Sequence, residues 1–582
     1  MNNIKIQLKK KLKELIHCCQ ISESIFLLVI SPLVGCGVGF GTLFFRWLID
    51  IFSFIFFEEK LYLLHFMGPY YVIIIPAIGG IMIGPLIYFF AREVRGAGVP
   101  EVMLAVSMEG GKIRPIVALI KTIVTSICIS SGGSVGREGP IVQIGSALGS
   151  TLGQFFRFSE EKTRMLLACG AAGGIAATFN APLAGIFFAL EVILRQYGLR
   201  YFSSVVLSSV TATVVSRHFF GDYPAFKVPP YQFLSIWEIP FYIIFGFLAA
   251  GAALLFVKVL YKCDDLFIYI KIPEYVKPAI GGVLVGLIGF YYPEIFGVGY
   301  KTIELTLYGK LAANVVIVLI FAKILATSIT LGSGGSGGIF APCLFIGATL
   351  GCAYGKITYL IAPSIAIPPG ACALVGMGAV LSGATHAPIS AILILFEMTG
   401  NYKILLPLMI TCVISIMVTR MVNRNSIYTM KLKRRGIDIL QMVHIDLMEV
   451  TWVEKAMDKE VITVCESDSV RSAGLMIKST GHRGFPVLDD KGTLVGMVTR
   501  KDINKALSED RADHDVKEIM TGDIIVCHPH ENLRIALEKL GSRNIGRIPV
   551  VEVNRPDKLI GLITRKNIIS AYNKALCEEE RE

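Results

Sequence analysis

The stretch Ser131-Gly-Gly-Ser-Val-Gly-Arg-Glu-Gly-Pro140 decides how the rest of the chain is interpreted. It is rich in glycine and therefore expected to be non-helical, and it carries two charged residues, Arg137 and Glu138, between long apolar segments. Bare backbone and ionisable side chains are both costly in the hydrocarbon region of a bilayer. A segment that combines them is expected to line a water-filled path or a binding site.

The composition places this segment in a membrane. Of 582 residues, 53% are hydrophobic and 17% are charged, and the mean hydropathy is +0.62, which excludes an ordinary soluble protein. Some apolar runs reach the ~20 residues that a spanning helix needs, and others are short or interrupted, as in discontinuous membrane helices. The runs are Ile25–Leu48, Tyr71–Ala91, Met165–Leu190, Phe241–Val257, Val315–Ile329, Ala371–Phe396 and Ile404–Val418. The chain is predicted to be a multi-pass membrane protein.

Basic residues predict the orientation. Residues 1–20 are predicted to form a basic amphipathic helix without a signal-peptide cleavage site, and a second basic group follows the last apolar run at Lys431, Lys433, Arg434 and Arg435. Positive charge favours the cytoplasmic side, so both termini are expected in the cytoplasm, with the protein in the plasma or inner membrane. The net charge of +11 fits this arrangement and requires no nucleic-acid partner.

The residues that carry metal or enzyme chemistry show no useful spacing. The 13 cysteines are scattered, with Cys18-Cys19 as the one adjacent pair, and are interpreted as small buried apolar residues. His386 stands alone and is expected to pack. No Ser/His/Asp set recommends an enzyme, and neither a metal site nor a required cofactor is expected.

The apolar part contains an internal repeat with an offset of 202 residues. Ser131–Pro140 matches Ser333-Gly-Gly-Ser-Gly-Gly-Ile-Phe-Ala-Pro342, and Lys121 matches Lys323. After a four-residue slip, Glu191 matches Glu397. The membrane part, residues 21–430, is therefore divided into repeats at about 25–215 and 240–425. We expect an all-α membrane fold of two repeated, inverted halves with broken helices.

After the linker predicted at 431–452, the composition changes to short apolar runs alternating with charged helical ones. Phe485-Pro-Val-Leu488 and Gly496-Met-Val-Thr-Arg-Lys-Asp502 return as Ile548-Pro-Val-Val551 and Gly561-Leu-Ile-Thr-Arg-Lys-Asn567. These features resemble a tandem pair of CBS domains, at 453–508 and 516–575. The resemblance implies a cytoplasmic α+β module, often regulatory.

Three clusters in the membrane part share glycine followed within a few residues by proline: Gly96-Ala-Gly-Val-Pro100, Gly136-Arg-Glu-Gly-Pro140 and Gly338-Ile-Phe-Ala-Pro342. Each is expected to be a loop that leads into a helix N-terminus, because proline suits the first turn. Such ends offer free N–H groups and positive partial charge, so several of them converging can bind an anion. The binding stays weak enough for release because no full positive charge is needed.

Together with the late Tyr428, these motifs resemble the CLC family of chloride channels and chloride/proton exchangers, over essentially the whole chain. The resemblance implies a homodimer with a separate anion path in each subunit, and Glu138 as a gate that moves when it is protonated or displaced. The anion-binding set that it implies is Ala97, Gly98, Gly136, Arg137, Gly338, Ile339, Phe340 and Tyr428. Chloride or another small inorganic anion is the expected substrate.

Two positions depart from the family pattern. Ala97 replaces a serine common in chloride-selective members, which leaves the anion preference open. Val192 occupies the inner position at which well-studied exchangers carry a proton-transferring acid. Because valine cannot relay a proton, a passive channel is favoured, with a chloride/proton antiporter as the alternative. A CBS-regulated magnesium transporter is a remote third reading, since the glycine motifs lack the acidic filter that a cation path needs.

For several other residues, the sequence allows two alternative roles. Glu191 and Glu397 are expected to cap loops rather than to contact ions. Lys121 and Lys323 either raise the positive potential of an anion path or simply snorkel or pair with acids. In the tail, Thr499, Asp502, Thr564 and Asn567 match positions that contact ribose in nucleotide-binding CBS pairs. An adenine nucleotide (ATP, ADP or AMP) is thus an expected ligand, against the alternative that the pair only supports dimerisation.

Overall fold

In this computed structural model, the described residues are 23–58, 68, 70–196, 198–222, 226, 228–229, 231, 235–361, 363, 367–439, 448, 451–543, 545–553 and 555–579. The chain divides into two compact units, Met1–Met442 and Val443–Glu582. The predicted basic helix at 1–20 and the Cys18-Cys19 pair lie outside the described residues. So do residues 440–447 and 449–450 of the predicted linker.

In its described part, the first unit is built from helices joined by loops. Its α-helices are α1 Glu23–Ser53, α2 Tyr71–Phe90, α3 Val99–Ser107, α4 Ile116–Ser130, α5 Glu138–Phe156, α6 Glu160–Phe179, α7 Pro182–Phe188, α8 Leu199–Phe220, α9 Ile239–Tyr269, α10 Lys277–Tyr291, α11 Tyr300–Leu307, α12 Ala313–Gly332, α13 Phe340–Ile361, α14 Pro369–Thr385, α15 Pro388–Thr399, α16 Leu405–Val422 and α17 Thr429–Lys433. Within the described ranges, six helical segments are long and apolar enough to cross a membrane. Large apolar side chains stay exposed on them, Leu360 at 80% and Met421 at 79%, as a lipid-facing surface requires.

Broken helices have a local cause that occurs in both halves. Asn180 ends α6 and His386 ends α14, both in the left-handed region with φ of 58°. Each is followed by Ala-Pro, and the proline starts α7 or α15 in the first turn, where its missing N–H costs nothing. The helical axis therefore breaks and restarts at equivalent places.

The two halves are related by a local two-fold axis. A cavity of about 20 Å³ lies on it, lined by six pairs of residues that are each 202 positions apart. The pairs are Pro76 and Pro278, Gly80 and Gly282, Ile83 and Val285, Cys128 and Thr330, Ser131 and Ser333, and Gly133 and Gly335. The predicted division into two repeated halves with broken helices is confirmed.

Helices α2 and α10 cross at this axis and need glycine to do so. A Cβ added at Gly80 would lie 2.3 Å from the carbonyl oxygen of Pro278, and one added at Gly282 would lie 2.2 Å from that of Pro76. Backbones that approach this closely leave no room for a side chain. The crossing brings the loops that follow α4 and α12 towards the axis.

The second unit is an α+β module. Its elements are α18 Val453–Ala456, β1 Val464–Cys465, α19 Val470–Thr480, β2 Gly484–Leu488, β3 Leu494–Thr499, α20 Arg500–Ser508, α21 Leu533–Ser542, β4 Arg547–Glu552, β5 Arg555–Thr564 and α22 Arg565–Glu579. Strand β2 lies between parallel β1 and antiparallel β3, and β4 pairs antiparallel with β5. The predicted α+β character of the tail is confirmed.

The two repeats of this module exchange segments. Val453, from α18, packs in the core that is otherwise formed by residues 527–568. Val516 packs in the other core, with Val464, Phe485 and Val498. Each repeat therefore completes the hydrophobic core of its neighbour, which binds the two into one unit.

Candidate functional site

Three glycine loops of the first unit are joined by backbone hydrogen bonds. Gly96 N donates to Gly335 O at 2.9 Å, and Gly337 N donates to Gly96 O at 3.3 Å. Gly136 and Gly338 donate to each other's carbonyl oxygens at 2.7 and 2.6 Å. The N-termini of α3, α5 and α13 therefore meet at one place, and their free N–H groups and positive dipole ends favour an anion there.

Glycine is required where these helix starts touch. Gly98 has φ of 85°, a backbone conformation that side chains disfavour. A Cβ at Gly139 would lie 2.2 Å from Ala97 O, and one at Gly338 would lie 2.7 Å from Gly139 N. The glycines recognised in the sequence thus serve the close approach of helix ends.

Glu138 is the first residue of α5, and its side chain is fully buried at this meeting point. Its Oε1 accepts a hydrogen bond from the Tyr300 hydroxyl at 2.7 Å. Its Oε2 has no hydrogen-bond partner and lies 2.1 Å from the position that a Cβ on Gly136 would take. The carboxylate is therefore folded back over the loop, where it occupies the space that the helix ends enclose.

Arg137 points elsewhere. Its guanidinium lies 5.3 Å from the centre of the Tyr300 ring, and its Nε is buried without a hydrogen-bond partner. Among the described ion pairs there is none between Arg137 and Glu138, so the carboxylate does not merely pair with its neighbour to hold the loop.

The other implied anion-binding residues lie around the same point. Ala97 and Ile339 line a cavity of about 60 Å³, together with Gly96 and Ile427. The Phe340 ring packs against that of Phe179 at 5.4 Å, so Phe340 presents its backbone, not its ring, as the first residue of α13.

Tyr428 lines a larger cavity of about 780 Å³, which we call the Tyr428 cavity. Val192 lines this cavity too, and the basic side chains that border it are Arg195, Arg420 and Arg424. His386 and Glu191 complete its ionisable lining. A wide, positively charged cavity of this kind concentrates anions before they reach the narrow part of a path.

Glu191 and Glu397 cap helices reciprocally across the two-fold axis. Glu191 accepts hydrogen bonds from Ile389 N at 3.2 Å and from Ser390 N at 2.7 Å, at the start of α15. Glu397 accepts from Leu183 N at 3.0 Å and Ala184 N at 2.7 Å, at the start of α7. Both carboxylates thus have the capping role expected from the sequence.

Lys121 and Lys323 are fully buried and tie down the loops. The Lys121 ammonium donates to Val94 O and Gly96 O at 2.8 and 2.9 Å, and that of Lys323 donates to Ile295 O and Gly297 O at 2.9 Å each. Both ammonium groups thus contact backbone carbonyls, a role that the sequence did not predict, and among the described ion pairs neither lysine has an acid partner.

The Lys323 contacts lead to residues that the sequence reasoning missed. Gly297-Val-Gly-Tyr300 is the repeat partner of Gly96-Ala-Gly-Val99, at an offset of 201 residues. Gly299 has φ of 81°, close to the 85° of Gly98, and it precedes α11 as Gly98 precedes α3. This fourth helix start has no proline, so the pattern of glycine followed by proline does not mark it. The sequence repeat alone could have identified it.

The predicted nucleotide residues lie in the second unit. Thr499 and Asp502 form a capping box at the start of α20, and the hydroxyl of Thr564 donates to Asn567 in the equivalent turn. Thr499 also lines a cavity of about 460 Å³ between the repeats. The basic side chains of this tail cavity are Arg483, Arg543 and Arg547, and burial together with Arg483 lowers the pKa of Arg547.

Comparisons with known proteins agree with this geometry. The voltage gated chloride channel family model matches residues 79–420, and the CBS domain model matches residues 453–509 and 516–574. The chain is 32% identical to a putative chloride channel protein ClcB-like of Ralstonia nicotianae, over 72% of this chain and 99% of that protein. It is 35% identical to the H(+)/Cl(-) exchange transporter ClcA of Vibrio parahaemolyticus, over 60% and 76%.

Solved structures give the same picture. A slow cyanobacterial Cl-/H+ antiporter superimposes with a TM-score of 0.65 at 26% identity, over 71% of this chain and 98% of that chain. A eukaryotic CLC transporter at 21% identity shares the fold with a TM-score of 0.59, over 94% and 99%. The predicted resemblance to CLC and CBS proteins is confirmed. The chain belongs to the voltage gated chloride channel (CLC) family, a family of anion-transport proteins, and carries two CBS domains.

Proposed function

We propose that the protein is a passive chloride channel gated by Glu138. The observation that carries the proposal is the Glu138 carboxylate, which is fully buried where helix N-termini meet and has one oxygen without a partner. An ionised carboxylate and a permeant anion compete for the same positive partial charges. Protonation removes the charge of Glu138 and so favours entry of the anion.

Val192 supports passive conduction. It lines the Tyr428 cavity, and the carboxylate that borders this cavity in the described structure, Glu191, has both oxygens engaged in capping α15. Among the described residues that line this cavity, there is thus no carboxylate free of capping contacts that could pass protons towards Glu138.

The gate is tested by chloride efflux from proteoliposomes. Glu138→Ala removes the competing charge and is expected to give constitutive flux that no longer changes with pH. Glu274→Gln, at an exposed glutamate, is the matched control and should behave as the unchanged protein. If the Glu138→Ala variant keeps the original pH dependence, Glu138 is not the gate.

A second candidate is coupled chloride/proton exchange. It is favoured by the size of the Tyr428 cavity, about 780 Å³, because a chain of waters in it would carry protons without an acid at Val192. The H(+)/Cl(-) exchange transporter ClcA among the relatives adds support. A chloride gradient imposed across proteoliposomes separates the two: uphill proton movement contradicts a passive channel, and its absence contradicts exchange.

We further propose that the protein is a homodimer in the cell membrane with both termini in the cytoplasm. Extensive exposed apolar surface and the basic residues after α16 support this. Counting photobleaching steps in single liposomes tests the dimer, since two steps per particle are expected and one step contradicts it. The orientation of the chain in the membrane is tested with the variant Arg435→Cys, by measuring from which side of the membrane the new cysteine can be labelled.

For the tail we propose binding of an adenine nucleotide in the 460 Å³ cavity. Three arginines beside apolar Ile524, Ile525 and Ile545 suit phosphates and a base. Calorimetry of the full chain with ATP, ADP and AMP tests this, and Arg483→Ala is expected to weaken the binding about 10-fold or more. If calorimetry detects no binding of any of the three nucleotides, the proposal is wrong and the module has a purely structural role.

A further inference from the structure

The hydroxyl of Tyr300 has no counterpart in the other half of the repeat. Its equivalent, at the offset of 201, is Val99, which cannot form a hydrogen bond through its side chain. Tyr300 begins α11, directly after the left-handed Gly299. The two halves of the repeat thus each contribute an equivalent helix start, that of α3 at Val99 and that of α11 at Tyr300. Of these two residues, Tyr300 carries a side-chain hydroxyl.

The ring of Tyr300 is held in place by its neighbours. Phe226 meets it edge-to-face at 5.2 Å, and the Arg137 guanidinium lies 5.3 Å from the ring centre. A ring fixed in this way presents its hydroxyl in one direction, so little conformational entropy is lost when the hydroxyl forms a hydrogen bond.

The hydroxyl is directed at the gate. It donates to Oε1 of Glu138 at 2.7 Å, a normal length for an O–H···O hydrogen bond. The described structure gives the Glu138 carboxylate no other hydrogen bond. This bond exists while the carboxylate occupies its buried position and is lost when the side chain leaves.

Other charged and titratable groups face Glu138 or its partner without bonding to it. Lys323 on α12 donates to backbone carbonyls, and Cys343 on α13 and Tyr428 complete the surroundings of the carboxylate. Arg46 on α1 lies near Arg137 and Tyr300, and Asp50 lies near Arg46. These groups contribute to the electrostatic field at the Glu138 carboxylate, and the substitution Tyr300→Phe leaves all of them in the protein.

We propose that Tyr300 is a positioning residue that holds Glu138 in its closed position, so that its hydroxyl sets how readily the gate yields to protons and anions. The inference rests on the proposed gating role of Glu138. A hydrogen bond to a charged acceptor favours the closed, ionised state, and removing it favours the open state about 10-fold.

The experiment measures chloride efflux from proteoliposomes as a function of pH. Tyr300→Phe is expected to raise flux about 10-fold at neutral pH and to move the pH of half-maximal flux upwards by about one unit. Tyr308→Phe, at the end of the same helix and away from Glu138, is the matched control and should change neither quantity. Phe226→Leu loosens the ring without removing the hydroxyl, and a smaller change in the same direction is expected.

The double variant Tyr300→Phe/Glu138→Ala separates gating from packing. Its flux should equal that of Glu138→Ala, because the hydroxyl has lost its acceptor. If Tyr300→Phe changes flux equally in both backgrounds, the residue acts through packing and the inference is wrong. If Glu138→Ala opens the path but Tyr300→Phe and Phe226→Leu leave the pH profile unchanged, the inference fails while the gate stands. If Glu138→Ala itself has no effect, the proposed function fails.

Discussion

Gly136 and Gly338 are equivalent positions of the sequence repeat, and they are also direct hydrogen-bond partners. Each donates its N–H to the other's carbonyl oxygen, at 2.7 and 2.6 Å. An antiparallel bridge between equivalent residues places the two-fold axis between them. The helix starts at Glu138 and Phe340 are therefore held opposite each other by the symmetry of the duplicated frame.

Gly338→Ala is expected to disrupt this pair. The new Cβ would lie 2.7 Å from Gly139 N, a backbone atom that cannot move aside, so the helix starts must separate. Overpacking of this kind costs roughly 1–3 kcal/mol. The measurement is the thermal midpoint of the purified protein together with chloride flux, and both should fall. Gly37→Ala, in a helix with nothing within 4 Å of the added atom, should leave both unchanged.

Glu191→Ala and Glu397→Ala form a symmetric pair of variants. Each removes a carboxylate that caps a helix start on the other side of the axis, so each should cost about 1–3 kcal/mol of stability. Similar losses in thermal midpoint are expected, with an unchanged pH profile of flux. A pH profile altered by Glu191→Ala alone would show that Glu191 handles protons as well as capping.

Lys121→Met keeps the length of the side chain but removes its three donors. The carbonyls of Val94 and Gly96 lose a buried partner, and the loop before α3 should loosen, at a cost of about 1–3 kcal/mol. The exposed Lys258→Met serves as the control for the loss of a positive charge. If both variants reduce flux alike without a change in stability, long-range potential outweighs loop anchoring.

Thr499→Ala and Thr564→Ala separate capping from ligand binding in the tail. Both hydroxyls cap equivalent helices, so each substitution should lower stability by about 1 kcal/mol. Thr499 lines the 460 Å³ cavity, and Thr564 is not among its lining residues. Only Thr499→Ala should therefore weaken nucleotide binding in calorimetry. Equal weakening by both would place the ligand elsewhere or make the effect one of stability.

Ala97→Ser tests the anion preference. Ala97 lines the small cavity at the helix starts, and a serine there adds one hydroxyl donor. We expect the ratio of chloride to nitrate flux to rise, because the smaller anion gains more from a short hydrogen bond. The ratio is measured in the same liposomes with each anion in turn, and an unchanged ratio would mean that residue 97 does not contact the anion.

The sequence by itself determined the membrane character, the duplicated frame and the CBS tail. Composition and apolar run length fix the environment, because a bilayer demands long apolar helices. Ordered repeats in the motifs fix the duplication, and glycine with proline marks helix starts wherever both are present. These are local signals, and they marked the helix starts at Glu138 and Phe340. Tyr428 was associated with them only through the resemblance to the CLC family.

Tertiary structure decided which groups meet. No local sequence pattern shows that the ammonium groups of Lys121 and Lys323 donate to backbone carbonyls. Nor does any local pattern show that Glu191 caps a helix about 200 residues away. Tyr300 lacks the proline of its counterpart, and its contact with Glu138 spans 162 positions of the chain. Hydrogen bonds and close packing depend on distances across the two-fold axis, and those distances exist only after the two halves have folded against each other.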